Sequence, residues 1–288
     1  MRKIYQLSFI LLLWIGVSCG GDDDPTPSTV NNPPDTEKPK IQLLTPEENS
    51  TFLVINLIRF NTRLSDNVAL GTLKASLVSS DGSRSEIMEP FIFTDAMNIT
   101  DFTGSFYPRE IAPGTYTLLL EVLDRQKNMA KDSVAITIHA PAINQAEFEN
   151  AFKKNTFYYY LDWGWFGFDF INGVEFVKSQ FTYGLLMMMS MDNYINKDQW
   201  EKFVKDFQFE KQTWASWDKD GNGMLDDIEF HQGIEQLGLF EKWDQNKDKL
   251  VNEKEFVRGI FKSWDRNRDD VLSREEYFEP FYTYLSLH

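Results

Sequence analysis

Three stretches near the C-terminus concentrate side-chain oxygens at alternate positions. In residues 218–229, Asp218, Asp220 and Asn222 stand two apart and are followed by Gly223, Asp226 and Glu229. Residues 244–255 repeat the spacing with Asp244, Asn246, Asp248, Asn252 and Glu255, and residues 265–276 with Asp265, Asn267, Asp269, Ser273 and Glu276. Alternate residues of a tightly turning loop point inward, so these oxygens converge. Such a cluster suits a hard cation: Ca²⁺ takes about six to eight oxygens at roughly 2.3–2.6 Å. One stretch of this kind in an acidic chain could be a solvated turn, but three in tandem argue for metal.

The pattern resembles the EF-hand family, and the first copy matches its loop at every diagnostic position. The resemblance implies side-chain ligands from Asp218, Asp220, Asn222 and Asp226, the main-chain carbonyl of Met224, and Glu229 as the bidentate last ligand. By the same alignment the second loop would use Asp244, Asn246, Asp248, the Leu250 carbonyl, Asn252 and Glu255. The third would use Asp265, Asn267, Asp269, the Val271 carbonyl, Ser273 and Glu276. Up to three Ca²⁺ ions are implied. The two later loops depart from the family at the sharp turn, where Lys249 and Asp270 replace glycine. A left-handed backbone at a non-glycine residue costs about 1–2 kcal/mol, so the first loop is expected to bind best.

Loops of this kind need helices on either side. The ninth residues, Asp226, Asn252 and Ser273, are helix N-cap types, and each is followed three residues on by Glu, the capping-box spacing. Apolar residues then recur at helical intervals, as in Phe256, Ile260 and Trp264. A Trp precedes each first Asp: Trp217, Trp243 and Trp264. The connecting stretches 230–243 and 256–264 are each long enough for one helix, so the exiting helix of one hand is expected to enter the next. Leu225, Val251 and Leu272 are placed to form short bridges between paired loops.

The repeat continues upstream in degraded form. Residues 194–200 parallel residues 250–256, in a loop that would start at Met188, with Gln199 in place of the last Glu; no Ca²⁺ is expected there. Residues 170–176 look like a second relic. Between them and the start of the domain, residues 157–170 are dense in aromatics, which could pack as core or form a sugar-stacking platform. Met187, Met188 and Met189 read as core.

Residues 40–140 have a different rhythm, alternating at period two and breaking at turn residues. Strands are expected at 41–44, 52–60, 73–78, 87–93, 98–106, 114–123 and 133–139, the last two joined as a hairpin through 124–128. Six or seven short strands in so few residues suggest an antiparallel sandwich. Ser65-Asp66-Asn67-Val68-Ala69-Leu70 and Pro113-Gly114-Thr115-Tyr116 resemble bacterial immunoglobulin-like modules of surface lipoproteins. No catalytic constellation is visible there.

The N-terminus reads as a processing segment. Arg2 and Lys3 precede an apolar run, residues 4–17, of secretory-signal length. It ends at Gly16-Val17-Ser18-Cys19, which resembles a bacterial lipobox and implies a lipid on Cys19, the one cysteine of the chain. Residues 20–39 look like a disordered tether, acidic at Asp22, Asp23 and Asp24. The organisation expected is a signal peptide (1–19), a tether (20–39), an all-β immunoglobulin-like sandwich (40–140) and an all-α EF-hand array with shared helices (141–288).

The chain has 288 residues and a formal net charge of −15. From residue 141 onward 27 acidic and 17 basic residues leave −10, which repels nucleic acid and suits cations. The three histidines, His139, His231 and His288, are scattered, and no nucleophile motif or phosphate loop appears. The expectation is a non-enzymatic calcium-binding lipoprotein, lipid-anchored at the bacterial outer membrane and surface-exposed, in which the metal holds the C-terminal domain in shape. The alternative is a calcium-organised module that binds a glycan or protein partner through residues 157–170.

Overall fold

A computed structural model describes residues 33–94, 97–155, 175–190 and 192–286, and Thr36–His288 form one compact unit. Its first part holds the strands β1 (Lys40–Thr45), β2 (Ser50–Leu53), β3 (Ile58–Ser65), β4 (Leu70–Ser79), β5 (Arg84–Glu86), β6 (Phe91–Ile92), β7 (Ile99–Phe106), β8 (Gly114–Asp124) and β9 (Met129–His139). They form two sheets, one ordered β1-β3-β7 and the other β2-β9-β8-β4-β5 with β6 also on β4. This is the order of an immunoglobulin-like sandwich, with β3 and β7 in one sheet and β9, β8 and β4 in the other. Tyr116, near the start of β8, donates its hydroxyl to the Ala112 carbonyl at 2.7 Å. That bond is the tyrosine corner of such sandwiches.

Alternation does what it predicts on β8 and β9: Leu118, Leu120, Val122, Ile136 and Ile138 face the core with Phe60 and Leu64 opposite. Two strand expectations need correction. Residues 52–60 are not one strand. Asn56 accepts the Leu53 N–H through its side chain, the chain turns, and β2 and β3 enter different sheets. β2 runs parallel to β9, with Phe52 opposite Ile138, so the sandwich is not wholly antiparallel. Residues 87–93 are mostly connection. Only Phe91–Ile92 pair with β4, and both are exposed.

The second part is helical among its described residues: α1 (Gln145–Phe152), α2 (Lys178–Met189), α3 (Lys197–Asp206), α4 (Trp214–Trp217), α5 (Asp227–Leu237), α6 (Leu239–Trp243), α7 (Glu253–Trp264) and α8 (Arg274–Tyr284). One shared helix, α7, spans the stretch between the second and third acidic loops, as the spacing requires. The stretch between the first and second does not form one helix. Gly238 adopts φ 57° and ends α5 before α6 begins, the usual role of a glycine past a helix C-terminus. Helix and sandwich meet at α8: the Tyr282 hydroxyl donates to the Val54 carbonyl, and its ring meets Tyr107 edge-on at 5.7 Å. Met187 and Met188 are buried, as expected of core.

Candidate metal centres

The three acidic loops share one backbone plan. Each turns through a left-handed residue at its fourth and its sixth position: Gly221 and Gly223 (φ 71° and 85°), Lys247 and Lys249 (62° and 72°), Arg268 and Asp270 (62° and 65°). Positive φ at the sixth position agrees with the sequence alignment. The left-handed fourth position was not anticipated; the glycine at 221 was its only sequence signal.

The first Asp closes each turn. Asp218 Oδ2 accepts Gly223 N–H at 3.2 Å, Asp244 Oδ2 accepts Lys249 N–H at 2.9 Å, and Asp265 Oδ2 accepts Asp270 N–H at 3.1 Å. The last Glu folds back over the loop. Glu229 Oε1 accepts Lys219 N–H at 2.7 Å, Glu255 Oε1 accepts Gln245 N–H at 2.9 Å, and Glu276 Oε1 accepts Arg266 N–H at 2.9 Å. Their other oxygens reach the N–H groups of Asp226, Asn252 and Ser273, completing the three capping boxes. First and last carboxylates thereby reach over each loop from its opposite ends.

The residues between supply the rim. N–H groups of Met224, Leu250 and Val271 donate to Asn222, Asp248 and Asp269 at 2.8, 2.9 and 3.1 Å. The third-position side chains, Asp220, Asn246 and Asn267, lie beside the fifth: Asn246 Nδ2 donates to Asp248 Oδ2 at 2.8 Å and Asn267 Nδ2 to Asp269 Oδ2 at 3.0 Å. Carboxylate oxygens of Asp218, Asp220 and Glu229 all lie within 4.8 Å of one another, a group able to hold a metal ion.

The electrostatics set these groups apart. Glu229, Asp244, Glu255, Asp265 and Glu276 are all at least nine-tenths buried. Among the described residues Glu229, Asp244, Glu255 and Glu276 have no Lys, Arg or His within ion-pair distance, and Asp265 has only Lys262, at 3.9 Å. Burial raises the Glu276 carboxyl, but hydrogen bonds from Ser273, Arg266 and Asn267 outweigh it and hold the group below the ordinary Glu range, as a carboxylate. The Oδ1 atoms of Asp218 and Asp244 are buried with no hydrogen-bond partner. Buried carboxylates without a cation are costly. The oxygen-only donor set and the orphaned atoms fit a hard divalent cation.

Short bridges form at the three residues expected, and each reaches an upstream segment. Leu225, in β12 (Met224–Leu225), pairs with Ile195 of β11 (Ile195–Asn196). Val251 bridges Phe176. Leu272, in β13 (Val271–Leu272), pairs with Ile143 of β10 (Ile143–Asn144). The three bridges are nested like the rungs of a hairpin, and each joins an oxygen-rich loop to a segment upstream of all three.

The upstream segment at 188–199 keeps the sixth-position turn and the capping box without the chemistry. Asn193 has φ 60° at its sixth position, and Asn196 and Gln199 form a capping box. The Gln199 amide donates to the Met189 carbonyl at 3.2 Å, where the intact loops aim a carboxylate at an N–H. The relic expected at residues 170–176 is five residues out of register: the bridge falls at Phe176, and Gln180 caps the Val177 N–H at 3.2 Å. The segment around Ile143 was missed, although Asn144 and Glu147 repeat the same capping box. The aromatic stretch 157–170 and Cys19 lie outside the described residues. Among the described residues no helix is long and apolar enough to cross a membrane.

Neither a protein-family profile nor a curated protein matches the chain. Among solved structures it is similar to the fibronectin(III)-like modules of Clostridium thermocellum CbhA, at 14% identity over 35% of this chain and 46% of that one, with a TM-score of 0.27. It is similar also to self-complemented MyfA, the major subunit of Myf fimbriae from Yersinia enterocolitica (13% identity, 35% and 96% covered, TM-score 0.25). Murine CRIg matches at 8% identity over 36% and 98%, with a TM-score of 0.23. Overlaps of this size say nothing of activity, and the sandwich rests on its own strand order.

Proposed function

We propose that the helical part is a calcium-binding domain with three EF-hand loops, 218–229, 244–255 and 265–276, and that calcium serves as its structural staple. The observation that carries this reading is the set of first and last carboxylates: five of the six, all but Asp218, are at least nine-tenths buried, and five of the six, all but Asp265, have no ion-pair partner among the described residues. In each loop they approach from opposite ends, and two of the first aspartates carry orphaned oxygens. A divalent ion would neutralise both carboxylates, and three would bring the net charge of residues 141–288 from −10 to about −4. Calcium binding would then be folding free energy, because the unfolded chain has no such site.

A structural role is favoured over a sensor. Each loop is bridged to an upstream segment and α7 is shared between two loops, which leaves little freedom for helices to swing apart. In the same reading, Cys19 carries a lipid that anchors the protein at the bacterial outer membrane, and the sandwich spaces the calcium domain from the membrane. No enzymatic role is proposed.

Calcium titration of the chelator-treated protein, followed by tryptophan fluorescence and melting temperature, tests the proposal. A saturable change and a rise in melting temperature at or below millimolar calcium are expected. Absence of both would refute it.

A further inference from the structure

A cavity of about 340 Å³ opens between the second and third loops. Its floor is apolar: Phe207, Leu239 and Trp243 are buried there and Phe209 is half-buried. Its rim carries Lys242, Arg258, Lys262 and Arg268, all exposed, and none of the lining residues is acidic. In a helical part whose net charge is −10 by sequence, four cations around one hole that no carboxylate lines run against the local trend.

Three of the four charges have no ion pair among the described residues, although Arg258 is near enough to Asp270 to help hold its carboxyl below the ordinary Asp range. Lys262 pairs with Asp270 and lies 3.9 Å from Asp265. Lys242 donates to the Leu237 carbonyl at 2.9 Å, a neutral acceptor. Arg258 and Arg268 have no hydrogen bond or ion pair among the described residues. Arginine's planar fork of donors matches an oxyanion in two-point fashion, while the lysine ammonium acts as a point charge. The cavity is at the small end of the usual range for small-molecule sites, roughly 300–1,000 Å³, and has their usual combination of apolar floor and a few polar groups.

We propose that this cavity binds a small organic anion: a sulfate, phosphate or carboxylate group held by Lys242, Arg258 and Arg268, on a body whose apolar face rests on the Trp243 floor. Calcium is not required for the argument, but loops two and three flank the cavity through Gln245 and Arg268. An ion in either would add positive charge beside the site and tighten it.

Calorimetry on the full chain at millimolar calcium and low salt tests the assignment with four probes: glucose 6-sulfate, phenyl sulfate, inorganic sulfate and glucose. At least one of the two organic anions is expected to bind about tenfold or more tighter than inorganic sulfate and than glucose. The preferred probe tells whether a sugar or an aromatic body is read. The double variant Lys242→Gln/Arg258→Gln, which touches no loop ligand, is expected to lose about tenfold or more of that affinity, with its circular dichroism spectrum unchanged. Binding of organic anions no tighter than inorganic sulfate, or undiminished in the variant, would overturn the proposal. A repeat in chelator separates the two readings: organic-anion binding that persists there, with no calcium response, sinks the calcium role and leaves this site standing.

Discussion

Gly259 lies against the indole of Trp243, so close that a Cβ built on it would stand 2.1 Å from Cδ2. Gly233 meets Trp217 in the same way, at 2.3 Å from Cε3. In the first two loops the Trp that precedes the loop lies against the helix that follows it, and only glycine permits that approach. At the equivalent place after Trp264 the chain has Pro280, inside α8. Gly259→Ala should therefore overpack the core beneath the second loop, costing about 1–3 kcal/mol. Urea denaturation should show the loss, and near-ultraviolet circular dichroism should report the displaced indole. A variant as stable as the parent would mean the indole is free to move.

The three loops should not bind alike. The first has glycine at both left-handed positions, while the second holds Lys247 and Lys249 there. Lys249→Gly relieves one such residue, worth about 1 kcal/mol, and should tighten the second site by about fivefold in calorimetry. No gain in calcium affinity would show that the empty loop holds the same left-handed turn, so that its strain is equal with and without the ion.

Glu229 supplies the last carboxylate of the first loop and is buried without a cation. Glu229→Gln should remove one of the three calcium equivalents, and the melting temperature in calcium should fall toward that in chelator. Direct measurement of bound calcium after gel filtration decides this: an unchanged stoichiometry would exclude Glu229 as a ligand.

Because Leu225, Val251 and Leu272 are bridged to Ile195, Phe176 and Ile143, no oxygen-rich loop is bridged to another. Filling one loop should not pull its partner into shape for a second ion. Calcium binding is expected to lack strong positive cooperativity, with a Hill coefficient of about 1. A steep, sigmoidal isotherm would require coupling through α7 instead.

The sandwich contains its own pH-sensitive contact. Glu121 is buried on β8; the hydrogen bond from Arg84, helped by Lys131 at 2.5 Å and opposed by burial, holds its carboxyl below the ordinary Glu range. A depressed folded-state value means stability that is fully present above the unfolded value, about pH 4.3. It is lost as the pH falls through the folded value. Glu121→Gln should therefore destabilise the protein at neutral pH, and the difference from the parent should shrink in acid. A constant difference across that range would assign the effect to packing.

Much of the site was legible because its chemistry is local. A twelve-residue loop positions its own oxygens, so Asp218, Asp220 and Glu229 announce one another through spacing alone, and the capping boxes follow from the same few residues. Strand alternation at Leu118, Leu120 and Val122 is likewise a property of adjacent residues. Gly238 was harder to read, since glycine within a helical pattern can be tolerated, and here it ends one helix and starts the next.

What the sequence determined by itself, then, was the set of oxygen-rich loops, the helices that flank them and the strands of the sandwich, all governed by contacts within a few residues. The tertiary structure decided what those pieces face. It bridged each loop to a segment upstream of all three, set Trp243 against Gly259, buried the last carboxylate of each loop, and gathered Lys242, Arg258 and Arg268 around one cavity. Those relationships depend on packing between residues far apart in the chain, and no local spacing encodes them.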